Sequence, residues 1–521
     1  MHNTRRSFLT QAGRAGGYSA AFALMQALDL MPGATAQTTP DWTRSTGKGV
    51  RVAVLGGGIA GLTAAYELQK AGFEATVLEA RERPGGRNWS VRRGTTVEFT
   101  DGTRQTPDWE PASYLNAGPA RLPSIHRNIL NYCRELGVEL EVEVNSSRSS
   151  YLVSENAFGG KPVEQRQAVN DTRGHVSELL AKCINQRALD QELSSEDRER
   201  MLEFLRIYGD LKPDYKYAGT ERAGLVRMPG AATQTEELRT PLPLHSLLDA
   251  NFWTGMMFDE GLDFQATMFQ PVGGMDRIPY AFAKKLGKTV QYRAAVKAIR
   301  KTDHGVRVEY EQGGNRKAIE ADYCICALPV TILRTVEHDF APRIKTAIKD
   351  TEYMDAFKIG WESKRFWETD FHLYGGISFL STGPITLVWY PSAKLFSETG
   401  VVVSGYSTES STGFGKLPTM AAKLDASREA VERLHPGYGK HLKNPLYVSW
   451  AKIPWNLGSW IGGGYYEGPF KEFIQPDDRI FFAGDHTSHI NAWQEGAIVS
   501  AHRAISLICD RVRASAVLSK S

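Results

Sequence analysis

The chain has 521 residues, too many for one compact core, so we expect at least two packed units. A hydrophobic content of 42% and a charged content of 23% are typical of a globular protein in water. Residues 1–36 carry +2 of the formal net charge of +3 (three arginines against one aspartate), which leaves +1 for the remainder. That balance excludes a nucleic-acid partner and a polybasic membrane-binding surface.

Residues 1–36 have the parts of an export segment. A twin arginine, Arg5 and Arg6, precedes a modest apolar stretch over residues 15–28, and small residues follow. The apolar stretch contains Gly, Ser and Gln, so it is a poor membrane span. The segment resembles a twin-arginine signal peptide, which predicts a periplasmic or secreted protein without a stable membrane anchor. A basic tail on a cytoplasmic protein is the alternative.

A dinucleotide-binding unit comes next along the chain. Arg51–Leu55 is a β-branched run typical of a buried parallel strand. Gly56, Gly58 and Gly61 follow it, then a helical pattern and a second strand that ends at Glu79. This is a complete G-x-G-x-x-G βαβ unit, in which glycines let the backbone approach a pyrophosphate and the acid binds a ribose. A glycine-rich turn without a ligand is the alternative, and the two strands and the acid disfavour it.

Two further motifs connect this unit to a flavoprotein family. The acid is followed by an arginine-rich, glycine-containing segment, residues 80–87, that suits a diphosphate. Near the other end, a strand over residues 479–483 leads into Asp485. With these motifs the chain resembles the flavin-containing amine oxidase family, in its L-amino-acid oxidase branch, over residues 50–510. The resemblance implies an α/β fold of mixed sheets and helices, with a Rossmann-like FAD-binding domain and FAD as the cofactor.

The resemblance also implies which residues contact FAD. Val296 matches a strand residue whose backbone meets the adenine, and Asp485 matches the acid that binds the ribityl chain. Trp450 matches an aromatic wall, although a role in the core is the alternative for any tryptophan. The expected FAD contacts are Gly56, Gly58, Ile59, Ala60, Gly61, Glu79, Ala80, Arg81, Gly86, Arg87, Gly118, Pro119, Ala120, Arg121, Val296, Trp450, Asp485, Ala492, Trp493, Gln494, Glu495 and Ala497. Covalent members of this family carry a flavin-linked cysteine, and residues 450–470 contain none, so the resemblance implies non-covalent FAD.

Arg121 closes a Gly-Pro-x-Arg run, residues 118–121, that resembles a segment of L-amino-acid oxidases in which the arginine binds the substrate α-carboxylate. A guanidinium suits this task because it donates two parallel, charge-assisted hydrogen bonds. Tyr390 matches the family tyrosine that joins this clamp. A surface arginine and a core tyrosine are the alternatives, and the presence of both residues in order favours the clamp.

Lys358 lies in an apolar, strand-like run and resembles the lysine that holds a water near flavin N5 in this family. Burying a lysine without a partner costs free energy, although a lysine that extends to solvent is the alternative. Trp460, Trp493 and the carbonyl of Ala492 complete the expected substrate contacts. The expected catalytic residues are Lys358, Arg121 and Tyr390. The five cysteines lack metal-binding spacing, so we expect no metal and interpret all five as core residues.

The domains are expected to be discontinuous. A charged, helix-like stretch carries a predicted capping box at Ser194 and Asp197 and is interpreted as an inserted helical subdomain, with a solvated linker as the alternative. The expected segments are 46–95, 270–350 and 474–514 for the FAD-binding domain, 96–150 and 351–473 for a mixed-sheet substrate-binding domain, and 151–269 for the mainly helical insertion.

These motifs predict FAD-dependent oxidative deamination of an L-amino acid, with O2 as acceptor and a 2-oxo acid, ammonia and H2O2 as products. A flavin monooxygenase that forms an amide and a dehydrogenase that passes electrons to a quinone are the enzymatic alternatives. An exported protein that binds FAD without catalysis is the non-enzymatic one, and the three expected catalytic residues disfavour it. We expect a homodimer or larger homo-oligomer.

Overall fold

The computed structural model describes Trp42 and residues 46–518. The predicted export segment, residues 1–36, lies outside the described residues and stays a prediction. The strands are, in chain order, β1 (Arg51–Leu55), β2 (Glu74–Leu78), β3 (Ser90–Arg92), β4 (Val97–Glu98), β5 (Arg104–Gln105), β6 (Tyr114–Asn116), β7 (Leu122–Pro123), β8 (Leu140–Glu143), β9 (Tyr151–Val153), β10 (Val163–Glu164), β11 (Leu225–Arg227), β12 (Glu237–Leu238), β13 (Met268–Pro271), β14 (Val290–Gln291), β15 (Ala295–Lys301), β16 (Val306–Gln312), β17 (Asn315–Ala321), β18 (Tyr323–Cys326), β19 (Glu337–His338), β20 (Ala356–Lys364), β21 (Ile377–Leu380), β22 (Leu387–Trp389), β23 (Thr399–Thr408), β24 (Lys443–Ser449) and β25 (Ile480–Phe482).

The α-helices are, in chain order, α1 (Ile59–Lys70), α2 (Arg127–Leu136), α3 (Gln165–Asn185), α4 (Ser195–Tyr208), α5 (Leu244–Ala250), α6 (Trp253–Met256), α7 (Arg277–Leu286), α8 (Val330–Leu333), α9 (Pro342–Asp350), α10 (Phe366–Thr369), α11 (Met420–Leu434), α12 (Pro469–Phe473) and α13 (Gln494–Leu518).

A five-stranded parallel sheet, in the order β14-β2-β1-β18-β25, is the centre of the first unit. Helices α1 and α13 pack on one face, where Leu62, Ala65 and Ile505 are fully buried. The sheet β17-β16-β15-β19 covers the other face. Because both faces are covered, β1 and β18 are almost wholly apolar. This arrangement confirms the predicted α/β class and its Rossmann-like unit.

A seven-stranded sheet, in the order β10-β9-β21-β22-β23-β20-β24, forms the second unit. Its strand pairs are antiparallel except for β9 with β21. Five of the strands lie in the predicted substrate-binding segment 351–473, but β9 and β10 lie in the predicted insertion. The start of that insertion at residue 151 is therefore corrected, because the short apolar strand β9 extends the sheet and helical structure begins only at Gln165.

Helices α3 and α4 pack against each other in the insertion through Ile184 and Leu205. Only the N-cap half of the predicted capping box is confirmed: the Ser194 hydroxyl accepts a hydrogen bond of 3.1 Å from the backbone N–H of Asp197. The Asp197 carboxylate accepts from the Ser194 hydroxyl at 2.7 Å instead of from its backbone N–H. Cys183 on α3 is exposed, so its expected place in the core is wrong. Among the described residues, no helix has the length and apolar character needed to cross a bilayer.

Candidate active site

A cavity of about 520 Å³ lies at the carboxyl ends of the parallel strands, on the side that faces the seven-stranded sheet. Open parallel sheets bind ligands at this edge, because there the loops after neighbouring strands diverge. Gly56 after β1, Glu79 after β2 and Gly484 after β25 line one part of the wall. Lys358 on β20 and Tyr406 on β23 line another. The cavity therefore joins the predicted dinucleotide end to the predicted substrate end.

At the dinucleotide end, the buried carboxylate of Glu79 orders the backbone on both sides of it. One of its carboxylate oxygens accepts from the backbone N–H of Gly57 at 2.7 Å, and the other accepts from that of Arg81 at 2.8 Å. Gly61 does not line the cavity, in contrast to the prediction. A Cβ on Gly61 would lie 1.9 Å from the carbonyl oxygen of Gly56, so this glycine allows close packing of α1 against β1.

Arg87 and Asp485, which are 398 positions apart in the chain, meet in the cavity wall. The guanidinium forms a two-point ion pair with the carboxylate, with one N–H···O distance of 3.0 Å, and also donates to the carbonyl of Ser459. Burial favours a higher pKa for Asp485, but Arg87 outweighs it and the net effect lowers that pKa. The carboxylate also accepts from the backbone N–H of Ala492 at 3.1 Å, which orders the loop before α13.

Most of the predicted contact residues line this cavity. They are Gly56, Gly58, Ile59, Ala60, Glu79, Ala80, Arg81, Gly86, Arg87, Gly118, Pro119, Ala120, Arg121, Val296, Lys358, Trp450, Trp460, Asp485, Ala492, Trp493, Gln494 and Ala497.

Glu495 and Tyr390 were also expected here, and the structure places both elsewhere. The buried carboxylate of Glu495 accepts from the backbone N–H groups of Asn128 and Ile129 at 3.0 and 2.9 Å, so it caps the start of α2. The hydroxyl of Tyr390 donates to Ser378 at 2.9 Å, behind the wall of the cavity. Tyr390 follows Trp389, the last residue of β22. Because successive side chains along a strand point to opposite faces, Trp389 meets the cavity and Tyr390 points away from it.

Lys358 is buried at the wall of the cavity, with only 4% of its surface exposed. Its ammonium donates to the carbonyl oxygens of Asn116 at 2.8 Å and Gly118 at 2.6 Å. Burial, and after it the positive charge of Arg121, lower the pKa of Lys358 to about 7, although Glu143 acts in the opposite direction. The lysine can therefore gain or lose a proton near neutral pH.

Arg121 is enclosed by aromatic rings. The centre of its guanidinium lies 4.6 Å from the ring centre of Trp389, 5.0 Å from Phe264 and 5.5 Å from Phe258. It donates to the side-chain oxygen of Asn145, and the side-chain N–H of Asn145 donates to the carbonyl of Phe264 at 2.9 Å. These contacts fix the guanidinium at the cavity wall while its remaining donors stay available to a ligand.

Glu143, on β8, is the acidic group that acts on both of these cations. It is 3% exposed and accepts from the indole N–H of Trp389 at 3.2 Å. Burial raises the pKa of Glu143 to about 7, against the effects of Arg121, the Trp389 hydrogen bond and Lys358. Two cations at the wall, with a single carboxylate behind it, suit a ligand that brings a negative charge.

Sequence reasoning missed four residues of the site. Trp389 directly precedes the predicted Tyr390, and knowledge of which face of β22 meets the cavity would have selected it. Tyr406 and Phe264 line the cavity from strands and loops that carry no motif. Glu143 is an ordinary strand glutamate in the sequence, and only its burial beside Arg121 distinguishes it.

The profile of a family described as flavin-containing amine oxidoreductase matches residues 59–508. The chain belongs to this family. The match includes β2, β18, β25 and all residues that line the cavity except Gly56 and Gly58. The cofactor of this amine oxidoreductase is therefore a flavin.

Relatives of this amine oxidoreductase include two snake proteins named L-amino-acid oxidase. The one from Pseudechis australis is 25% identical over 477 residues, which cover 86% of this chain and 85% of the relative. The one from Notechis scutatus scutatus is 26% identical over 472 residues, which cover 86% and 84%. Among solved structures, a putrescine oxidase bound to putrescine aligns with a TM-score of 0.57 and 18% identity, over 88% of this chain and 99% of the other. The structural likeness supports the fold.

The cavity of this amine oxidoreductase fits a flavin dinucleotide. A Cβ added to Gly58, at the start of α1, would meet no protein atom within 4 Å, so open space lies against the positive end of that helix. Asn88 and Asn491 also line the cavity, and their side-chain oxygens are buried without a partner in the described part of the chain. Such acceptors suit the hydroxyl groups of a bound ligand. Over the same residues, no cluster of three or more acidic, His or Cys side chains could hold a metal ion.

Proposed function

We propose that this chain catalyses the FAD-dependent oxidative deamination of L-amino acids to a 2-oxo acid, ammonia and H2O2. The observation that carries the proposal is Arg121, a buried cation at the cavity wall that has no hydrogen-bonded carboxylate among the described residues. A buried cation without such a partner costs free energy, and the α-carboxylate of an amino acid would offset that cost. The relatives named L-amino-acid oxidase support the same substrate class.

In this proposal the side chains of the wall orient the amino acid. Arg121 binds the α-carboxylate, and Tyr406 takes the place beside it that the sequence assigned to Tyr390. The rings of Phe264 and Trp493, whose centres are 5.9 Å apart, exclude water from the substrate side chain. Fixing the Cα–H bond in this way contributes to the rate by positioning.

The carbonyl of Ala492 would accept a hydrogen bond from the substrate amine. Ala492 has a φ of +67°, an uncommon conformation for alanine, which the Asp485 hydrogen bond to its N–H helps to stabilise. The amine must be neutral to release a hydride from Cα, so the rate of the reductive step should rise with pH until the bound amine is deprotonated.

When bound, FAD supplies the redox chemistry by accepting the hydride and reducing O2. We propose that it is held non-covalently, because none of the described residues that line the cavity is a cysteine. Acid precipitation of the purified protein should therefore leave intact FAD in the supernatant. Flavin that remains with the precipitated polypeptide would contradict this expectation.

Anaerobic mixing of the purified holoenzyme with each of the twenty L-amino acids tests the proposed reaction. Bleaching of flavin absorbance, followed by recovery and stoichiometric H2O2 on addition of O2, is the expected result. An amide product would instead identify a monooxygenase, and recovery only with a quinone would identify a dehydrogenase. If none of the amino acids bleaches the flavin, the result would favour a protein that binds FAD without catalysis.

Replacing Lys358 with methionine should slow flavin reduction, reoxidation or both by about two powers of ten, while FAD stays bound. The reason is that Lys358 is a buried amine in the cavity wall, where it can stabilise developing charge or exchange a proton. Stopped-flow measurement of the two half-reactions checks this expectation. Lys364→Met, at the exposed end of the same strand, is the matched control and should leave both rates unchanged.

A further inference from the structure

A second, smaller cavity of about 90 Å³ lies behind the substrate end of the first. The two cavities share three wall residues, Ala120, Lys358 and Trp389. At its other end, the smaller cavity is lined by Ala112 and Lys394, both exposed at the surface. We call it the rear cavity. Its lining residues extend from the reaction chamber to the protein surface and include none of the dinucleotide-end residues Gly56, Glu79 and Asp485.

Two buried polar atoms without a protein partner belong to residues of this rear cavity. They are the second carboxylate oxygen of Glu143 and the hydroxyl of Tyr114, each without a hydrogen bond to the described part of the chain. Buried polar atoms of this kind are normally satisfied by ordered water. A volume of about 90 Å³ accommodates roughly three water molecules. The small volume and the unpaired polar atoms together indicate water as the occupant.

We propose that the rear cavity is a water-filled path for protons and that Glu143 carries the proton between Lys358 and the surface. The inference rests on the proposed function, in which the substrate arrives as an ammonium and must become an amine. One N–H bond of the ammonium breaks and its electron pair stays on nitrogen. The proton passes to the neutral amine of Lys358, and from there through a cavity water to the carboxylate of Glu143.

The neutral carboxyl of Glu143 then releases its proton through the next water towards the exposed end, which restores the carboxylate. No oxidant or reductant takes part. The charged and titratable groups that face this path are Arg121 and Lys358 at the inner end, Tyr114, Arg365 and Tyr390 along the wall, and Lys394 at the mouth. The pKa values of Lys358 and Glu143 are both moved to about 7, so a proton can pass between them in either direction near neutral pH.

Glu143→Gln tests the path with little change of shape, because the amide oxygen can still accept from Trp389. Below neutral pH, the rate of flavin reduction should fall by about one to two powers of ten. At alkaline pH, where the free amine already predominates, the rate should approach that of the wild type, while KM and flavin content stay the same. Glu139→Gln, an exposed carboxylate just before β8, is the matched control and should follow the wild-type pH profile.

Ala112→Leu, which narrows the exposed mouth without touching the reaction chamber, should reproduce the loss in the rate of flavin reduction below neutral pH.

Two readouts do not depend on turnover. Infrared difference spectra across neutral pH should lose a carboxyl band in Glu143→Gln, and a high-resolution crystal structure should show water against Glu143. A dry rear cavity, or equal loss of rate at all pH values in Glu143→Gln, would overturn the inference. If the wild type bleaches with no amino acid, the proposed function fails instead, and the infrared and crystallographic results still decide the titration and hydration of Glu143.

Discussion

Arg121→Ala should lower kcat/KM for the preferred amino acid by about two to four powers of ten. Arg121 is only 8% exposed, so solvent would not replace its guanidinium effectively as a partner for the carboxylate. A carboxylate buried without its charge-assisted hydrogen bonds costs about 3–5 kcal/mol, which is the origin of the expected loss. Steady-state kinetics on one amino acid, with flavin content measured in parallel, check the magnitude.

Two comparisons separate carboxylate binding from a structural role of Arg121. The decarboxylated amine of the same substrate should be poor for the wild type and lose far less in Arg121→Ala, as in a double-mutant cycle. Arg121→Lys should recover only part of the activity, since an ammonium lacks the planar two-point contact. Equal losses for amine and amino acid would make the arginine structural, and a wild-type preference for the amine would make the enzyme an amine oxidase.

The tyrosine of the clamp can be assigned by the same assay. Tyr406 lines the cavity, whereas the hydroxyl of Tyr390 is bonded to Ser378 and His435 behind it. Tyr406→Phe should therefore raise KM for the amino acid but not for the amine. Tyr390→Phe should lower the free energy of unfolding and leave KM unchanged.

The dinucleotide half of the site could be predicted because its contacts come from consecutive residues of one βαβ unit. Gly56, Gly58 and Glu79 lie within a short stretch, and the geometry of the strand-turn-helix fixes where each faces. Arg87 and Asp485 were also found, because each closes a motif next to a strand.

The substrate half depends on which face of a strand or helix meets the cavity, and that is set by packing. A difference of one position separates Trp389 in the wall from Tyr390 in the core, and likewise Gln494 from the helix-capping Glu495. Glu143 meets Trp389 from 246 positions away in the chain. No local pattern encodes such a contact, so its role could be seen only in the folded structure.

The glycines of the dinucleotide motif give the second large effect, loss of the cofactor. Gly58→Ala should yield a folded protein that binds little or no flavin and so lacks activity. The added methyl group meets no protein atom within 4 Å and enters the cavity at the start of α1, where the pyrophosphate would approach. Gly58 already has a φ of −76°, so alanine adds no backbone strain and costs only about 0.5–1 kcal/mol as a weaker helix cap.

Gly61→Ala, three residues later on the same helix, is the matched comparison because its methyl group would meet protein instead of ligand space. A Cβ 1.9 Å from the carbonyl oxygen of Gly56 forces α1 away from β1, which should destabilise the fold by about 1–3 kcal/mol or more. Denaturant unfolding and the ratio of flavin to protein absorbance, measured on both variants, distinguish the two effects. Normal flavin content in Gly58→Ala would show that the pyrophosphate does not pass this glycine, and wild-type stability in Gly61→Ala would show that α1 can shift at little cost.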